Sequence, residues 1–109
     1  MLISSETGLY PRPGWTAMGV AKATLDGFAR YAAVELGPRG ITVNVVAPAM
    51  VATPINLSEP EEVQAAAKVT PMGRIADLDD VASAVAFYLS DGAGFLTGTY
   101  LPINGGLHF

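Results

Sequence analysis

The run Gly40-Ile41-Thr42-Val43-Asn44-Val45-Val46-Ala47-Pro48 decides the fold. Between the glycine and the proline lie seven residues, Ile41 to Ala47, dominated by β-branched side chains. Bounded by Gly40 and Pro48, the run reads as a buried strand of a parallel sheet. Upstream, Thr16 to Leu36 has the period of a helix. Met18, Ala21, Leu25, Phe28, Ala29, Ala32 and Leu36 recur at helical spacing, and Gly37-Pro38 stops it. The opposite side (Gly19, Val20, Ala23, Gly27, Tyr31, Val34) is also poor in charge. A helix apolar nearly all round needs a second cover beyond its own sheet, and a partner subunit is the natural one.

Further out, Leu2-Ile3 followed by Ser4-Ser5 reads as a strand cut short, and residues 6–14, with two Gly and two Pro, as a loop. Downstream of Pro48, residues 48–57 read as a loop. A weaker helix is expected over Pro60 to Lys68, with Ser58 as N-cap and Glu61 three residues later. A further helix is expected over Leu78 to Ser90. Asp77 precedes it, Asp79 and Asp80 sit in its first turn, and Val81, Ala84, Val85, Tyr88 and Leu89 mark its buried side. Thr99 to Ile103 reads as a last strand before Asn104-Gly105-Gly106. The order strand, helix, strand, helix, helix, strand implies an α/β fold with a parallel sheet. Three strands alone leave two unpaired edges.

Composition limits the function. The 109 residues suffice for one small domain. Half are hydrophobic and 15% charged, too apolar for a domain this small to coat itself in water. The net charge is −4 and the six Lys and Arg residues are scattered, which argues against a nucleic-acid partner. Without Cys there is no disulfide or thiolate metal site, and no metal is expected. The single His108 reads as a solvated end. No stretch approaches the ~20 apolar residues of a membrane span, and the opening residues lack a signal-peptide pattern. A cytoplasmic protein is expected.

Several local patterns now line up. Ile3-Ser4-Ser5 ends a strand and Lys22 follows on a helix. Val43-Asn44-Val45-Val46-Ala47-Pro48 leads to Val51-Ala52-Thr53-Pro54. The chain closes with Leu89-Ser90-Asp91, Leu96-Thr97-Gly98 and Ile103-Asn104-Gly105-Gly106. As an ordered set they resemble the C-terminal half of the short-chain dehydrogenase/reductase family. The resemblance implies a partial doubly wound, Rossmann-like parallel sheet, with residues 1–109 forming the C-terminal portion and the dinucleotide-binding half absent. It also implies an NAD(P)H-dependent oxidoreductase acting on an enoyl or carbonyl group of a small-molecule or acyl-thioester substrate. Met18-Gly19-Val20-Ala21-Lys22-Ala23, and Val69-Thr70-Pro71 followed by Arg74, look most like the enoyl reductase branch. That branch spaces its tyrosine seven residues before the lysine, where this chain has Trp15. The shorter spacing of other members falls on Met18.

The resemblance assigns roles. Ser5, Trp15 and Lys22 are the implied catalytic positions, with Trp15 in the tyrosine's place. An indole N–H donates a hydrogen bond but no proton. Lys22, Pro48, Val51 and Thr53 are the implied cofactor contacts: Lys22 toward the nicotinamide ribose, the Val51 backbone toward the carboxamide, Thr53 toward the pyrophosphate. Ala49 stands where the family has Gly, a strained choice if φ is positive. The segment from Thr53 to Thr70 would cover the substrate. The helices over 16–36 and 78–90, with the last strand, would join a homo-oligomer. Other readings stay open: Ser5 as a turn cap, Lys22-Asp26-Arg30 as a surface ion-pair ladder, Trp15 as packing, Tyr10 as a substitute hydroxyl and Asn44 as a support of the fold. No G-x-G-x-x-G turn occurs in the sequence. That and the missing tyrosine leave one alternative: a non-catalytic fragment or assembly partner keeping the oligomer interface.

Overall fold

The computed structural model describes all residues from Met1 to Phe109. Three strands, β1 (Leu2–Ile3), β2 (Val45–Pro48) and β3 (Tyr100–Ile103), form a parallel sheet in the order β1-β2-β3. The register sets Leu2 beside Val45 and Val45 beside Tyr100. The α/β class and the parallel sheet agree with the sequence reading.

The central strand is shorter at its start than expected. Regular pairing begins at Val45 and runs through Pro48, because the preceding backbone is held by side chains. The Val43 N–H donates to Thr97 Oγ1 at 3.0 Å. Asn44 is buried and donates to the Leu96 carbonyl at 2.7 Å, while its Oδ1 accepts from the Thr99 N–H and hydroxyl. Asn44 therefore supports the fold.

Helix α1 (Thr16–Leu36) packs on one face of the sheet. Ala29, Ala32 and Ala33 form the core with Val43, Val45 and Ala47. Side chains alternate along a strand, so the fully buried Val46 lies on the other face, where α4 (Leu78–Tyr88) packs against β2. The sheet is thus sandwiched between helices. The buried stripe of α1 is rotated from the expected one. Met18 and Phe28 are exposed, while Asp26 and Ala33 are buried. Small alanines let the helix approach the strand closely, and the larger Phe28 is turned outward.

The segment after Pro48 is not a plain loop. Thr53 caps a short helix, α2 (Pro54–Leu57), with Pro54 at its first position. Helix α3 follows (Pro60–Val69). Ser58 does not cap α3. It ends α2, where its hydroxyl donates to the Ile55 carbonyl at 2.7 Å. Helix α4 starts on a reciprocal capping pair. The Asp80 N–H donates to Asp77 Oδ1 and the Asp77 N–H to Asp80 Oδ2, at 2.9 and 2.8 Å. It ends at Tyr88, short of Ser90, with Leu89 exposed beyond it.

Candidate active site

In a parallel sheet the ligand crevice lies outside the carboxyl ends of the strands. Three segments meet at that edge here. Ser5 follows β1, residues 49–53 follow β2, and Asn104 follows β3. The paired strands fix their spacing, since the Ser4 N–H donates to the Val46 carbonyl and the Ala49 N–H to that of Ile103.

Ser5 caps the single turn Glu6–Gly8. Its Oγ accepts from the Thr7 N–H at 3.3 Å and the Thr7 hydroxyl at 3.1 Å. Both contacts use Ser5 as acceptor, which leaves its own hydroxyl proton without a partner in the chain. Lys22 makes no ladder with Asp26. Its Nζ donates to the Ile3 carbonyl at 3.2 Å, which ties it to the strand end that carries Ser5. Asp26 is turned inward and only 2% exposed, so it is out of reach of a surface pair. Trp15 stands at the start of α1, 48% exposed. It lines a cleft of about 250 Å³ together with Thr7, Arg12, Thr16 and Gly19. A Cβ on Gly19 would meet the Thr7 carbonyl at 2.9 Å, so glycine there lets α1 approach the Ser5 turn.

The loop after β2 is clamped. Ala76 donates to the Met50 carbonyl and accepts from the Ala52 N–H. The Val51 carbonyl is taken by the Thr53 N–H and the Asn56 amide, while the Val51 N–H has no partner in the chain. Thr53 Oγ1 accepts from the Asn56 N–H at 3.5 Å, and its proton is free. No residue other than glycine has positive φ, so Ala49 carries no such strain.

Beside this loop lies a cavity of about 410 Å³. Nine of its 14 lining residues are hydrophobic, among them Met50, Ala66, Val69 and Ile103. It lies under α3, within the span expected to cover the substrate.

One buried polar group of residues was not legible beforehand. Glu6 is 2% exposed. It accepts from the Asn104 amide at 2.6 Å and lies 3.3 Å from His108 Nδ1. The His108 ring stacks on Tyr10 with centroids 3.9 Å apart. His108 is therefore no solvated end. Tyr10 is no spare hydroxyl either, since it donates to the Phe109 carbonyl at 2.9 Å. Gly105 and Gly106, both at positive φ, turn the chain back for these contacts. Burial, then the charges of Asp26 and Glu6, push the Tyr100 hydroxyl up to about 12, so it stays protonated near neutral pH. The available signal was Asn104 before two glycines, a buried polar residue at a turn.

Fold and site together define an α/β protein whose ligand crevice opens at the carboxyl edge of a parallel sheet. The family model described as enoyl-(acyl carrier protein) reductase matches residues 1–108, and the chain belongs to this short-chain dehydrogenase/reductase family. It is 44% identical over 108 residues to a 3-oxoacyl-[acyl-carrier-protein] reductase of Haemophilus influenzae, covering 97% of this chain and 44% of the relative. It is 40% identical to the human (3R)-3-hydroxyacyl-CoA dehydrogenase, covering 96% of this chain and 41% of that protein. The crystal structure of an acetoin dehydrogenase from Salmonella typhimurium superposes with a TM-score of 0.84 at 33% identity, over 97% of this chain and 41% of the other. The chain spans less than half the length of these relatives.

Proposed function

We propose that this chain is the catalytic and substrate-binding part of an NAD(P)H-dependent reductase acting on the carbonyl or enoyl group of an acyl substrate. The observation that supports this reading is that Ser5, the Lys22 contact to the Ile3 carbonyl and the 49–53 loop all lie at the carboxyl ends of the strands, the loop lining an apolar cavity. A bound nicotinamide would supply the hydride. The free Val51 N–H and the Thr53 hydroxyl would hold it, with Pro48 setting the entry of the loop and Lys22 on the ribose side. The Ser5 hydroxyl and the Trp15 indole N–H would donate hydrogen bonds to the oxygen on which charge develops. Donors fixed in advance around a developing oxyanion supply much of the rate in such sites. Neither group is a proton donor of tyrosine's kind, so the final proton would come from water. The apolar cavity would take the acyl chain. The dinucleotide phosphates would be held by a glycine-rich turn outside these 109 residues, in a cytoplasmic homo-oligomer joined through α1 and α4.

The test is steady-state loss of reduced nicotinamide absorbance, with NADH and NADPH, on acyl thioesters carrying a 3-oxo group or a 2,3-double bond. Turnover of either class supports the reading, and its absence with both overturns it. A second reading, a non-catalytic assembly partner, is favoured by Trp15 and Met18 at the tyrosine positions. It predicts an intact native mass near 11.3 kDa and no turnover.

A further inference from the structure

We propose that Arg12 is a specificity-determining residue, holding an anionic group of the substrate at the large cavity, so that the ligand is an apolar chain bearing a carboxylate or a phosphate. The inference rests on the reading of that cavity as the substrate site. Its polar lining consists of Arg12, Glu62, Thr70, Arg74 and Asn104. Three of these already have partners. Thr70 donates to the Ala66 carbonyl at 2.8 Å. The Asn104 side chain bonds Glu6, the His108 carbonyl and the Gly106 N–H. Arg74 is held by both carboxylate oxygens of Asp80, with Asp77 at 3.9 Å.

That leaves Arg12 and Glu62. Neither makes a side-chain hydrogen bond or ion pair within the chain. They come from different walls, Arg12 from the loop before α1 and Glu62 from α3. An anion is drawn to the first and repelled by the second, so the two charges orient a chain that carries charge at one end. Guanidinium suits carboxylate and phosphate because its paired N–H donors match two oxygens at once. Arg12 also lines the smaller cleft beside Trp15, and its carbonyl accepts the Trp15 backbone N–H at 3.1 Å. A ligand anchored there therefore lies next to Trp15.

The test is calorimetric titration of the native protein with octanoate, octyl phosphate and octan-1-ol. At least one anion should bind about tenfold more tightly than the alcohol, and the stronger of the two identifies the charged group. Arg12→Gln should erase the preference, Arg12→Lys should keep part of it, and Glu62→Gln should tighten the anions without changing the alcohol. Equal affinity for all three ligands, or a preference that survives Arg12→Gln, would overturn the proposal. The measurement needs neither nicotinamide nor turnover, so a failed reductase assay and a failed anion preference are separate results.

Discussion

Trp15 is the residue at which the chemistry is most exposed to test. It is one of two positions, with Met18, that the resemblance offers for the family's tyrosine, and it offers only an N–H. Trp15→Tyr should restore a proton donor and raise kcat by about 100-fold, read in the nicotinamide assay. An unchanged rate would mean that Trp15 is packing. Asn44 illustrates the other kind of residue. Its side chain satisfies the Leu96 carbonyl and the Thr99 N–H inside the sheet. Asn44→Ala leaves both without partners and should cost about 2–4 kcal/mol, measured by urea unfolding. At this scale sequence reading performed unevenly. Asn44 as a support of the fold and Ser5 as a turn cap were legible, because each stands in a recognisable local pattern. Glu6 and His108 were not, because their roles depend on contacts almost a whole chain apart, as between Glu6 and Asn104, and spacing along the chain carries no trace of those.

Elements were easier to foresee than their ends. The helix after Asp77 was legible from its acidic first turn, and the capping pair explains its start. Asp77→Ala should cost about 1 kcal/mol. Asp80 carries a pH dependence. Hydrogen bonds from Arg74, then from the Asp77 backbone, hold its carboxyl well below its ordinary value of 3.8. A carboxyl depressed in the folded state adds stability that is fully present above its unfolded value and is lost as pH falls through the folded one. The stability difference between wild type and Asp80→Asn should therefore be constant from pH 7 to 5 and shrink below about pH 4. Urea midpoints across that range check it, and a difference that grows in acid would contradict the assignment. The short helix α2 was missed because Pro48 and Pro54 read as loop signals, although proline at a first helical position is favourable. The stripe of α1 was misplaced because hydrophobicity alone does not distinguish an alanine that packs closely from a phenylalanine turned outward.

On the scale of the whole molecule, the apolar excess in the composition has a location. Val20, Phe28, Tyr31 and Val34 on α1 are all more than 60% exposed, and Leu78 and Phe87 of α4 are also exposed. Patches of this kind mark contact surfaces. The proposed homo-oligomer would cover this face with a second copy of the chain. The paired change Tyr31→Lys with Val34→Glu should lower the sedimentation mass of the native assembly, and an unchanged mass would assign the face to an intramolecular contact. The α/β class was legible from Gly40 to Pro48 and the order of elements. What covers the sheet edges and α1 was not, since a sequence records an apolar face but not its occupant.

The central claim is that Lys22, tied to the strand end that carries Ser5, works at a hydride-transfer site. The most direct test compares the native protein with its Lys22→Ala variant, measuring reduced-nicotinamide oxidation on the acyl thioester turned over best. Wild-type turnover is expected, with a loss of about 100-fold or more in the variant and an unchanged urea midpoint. Equal rates in the two proteins would contradict it.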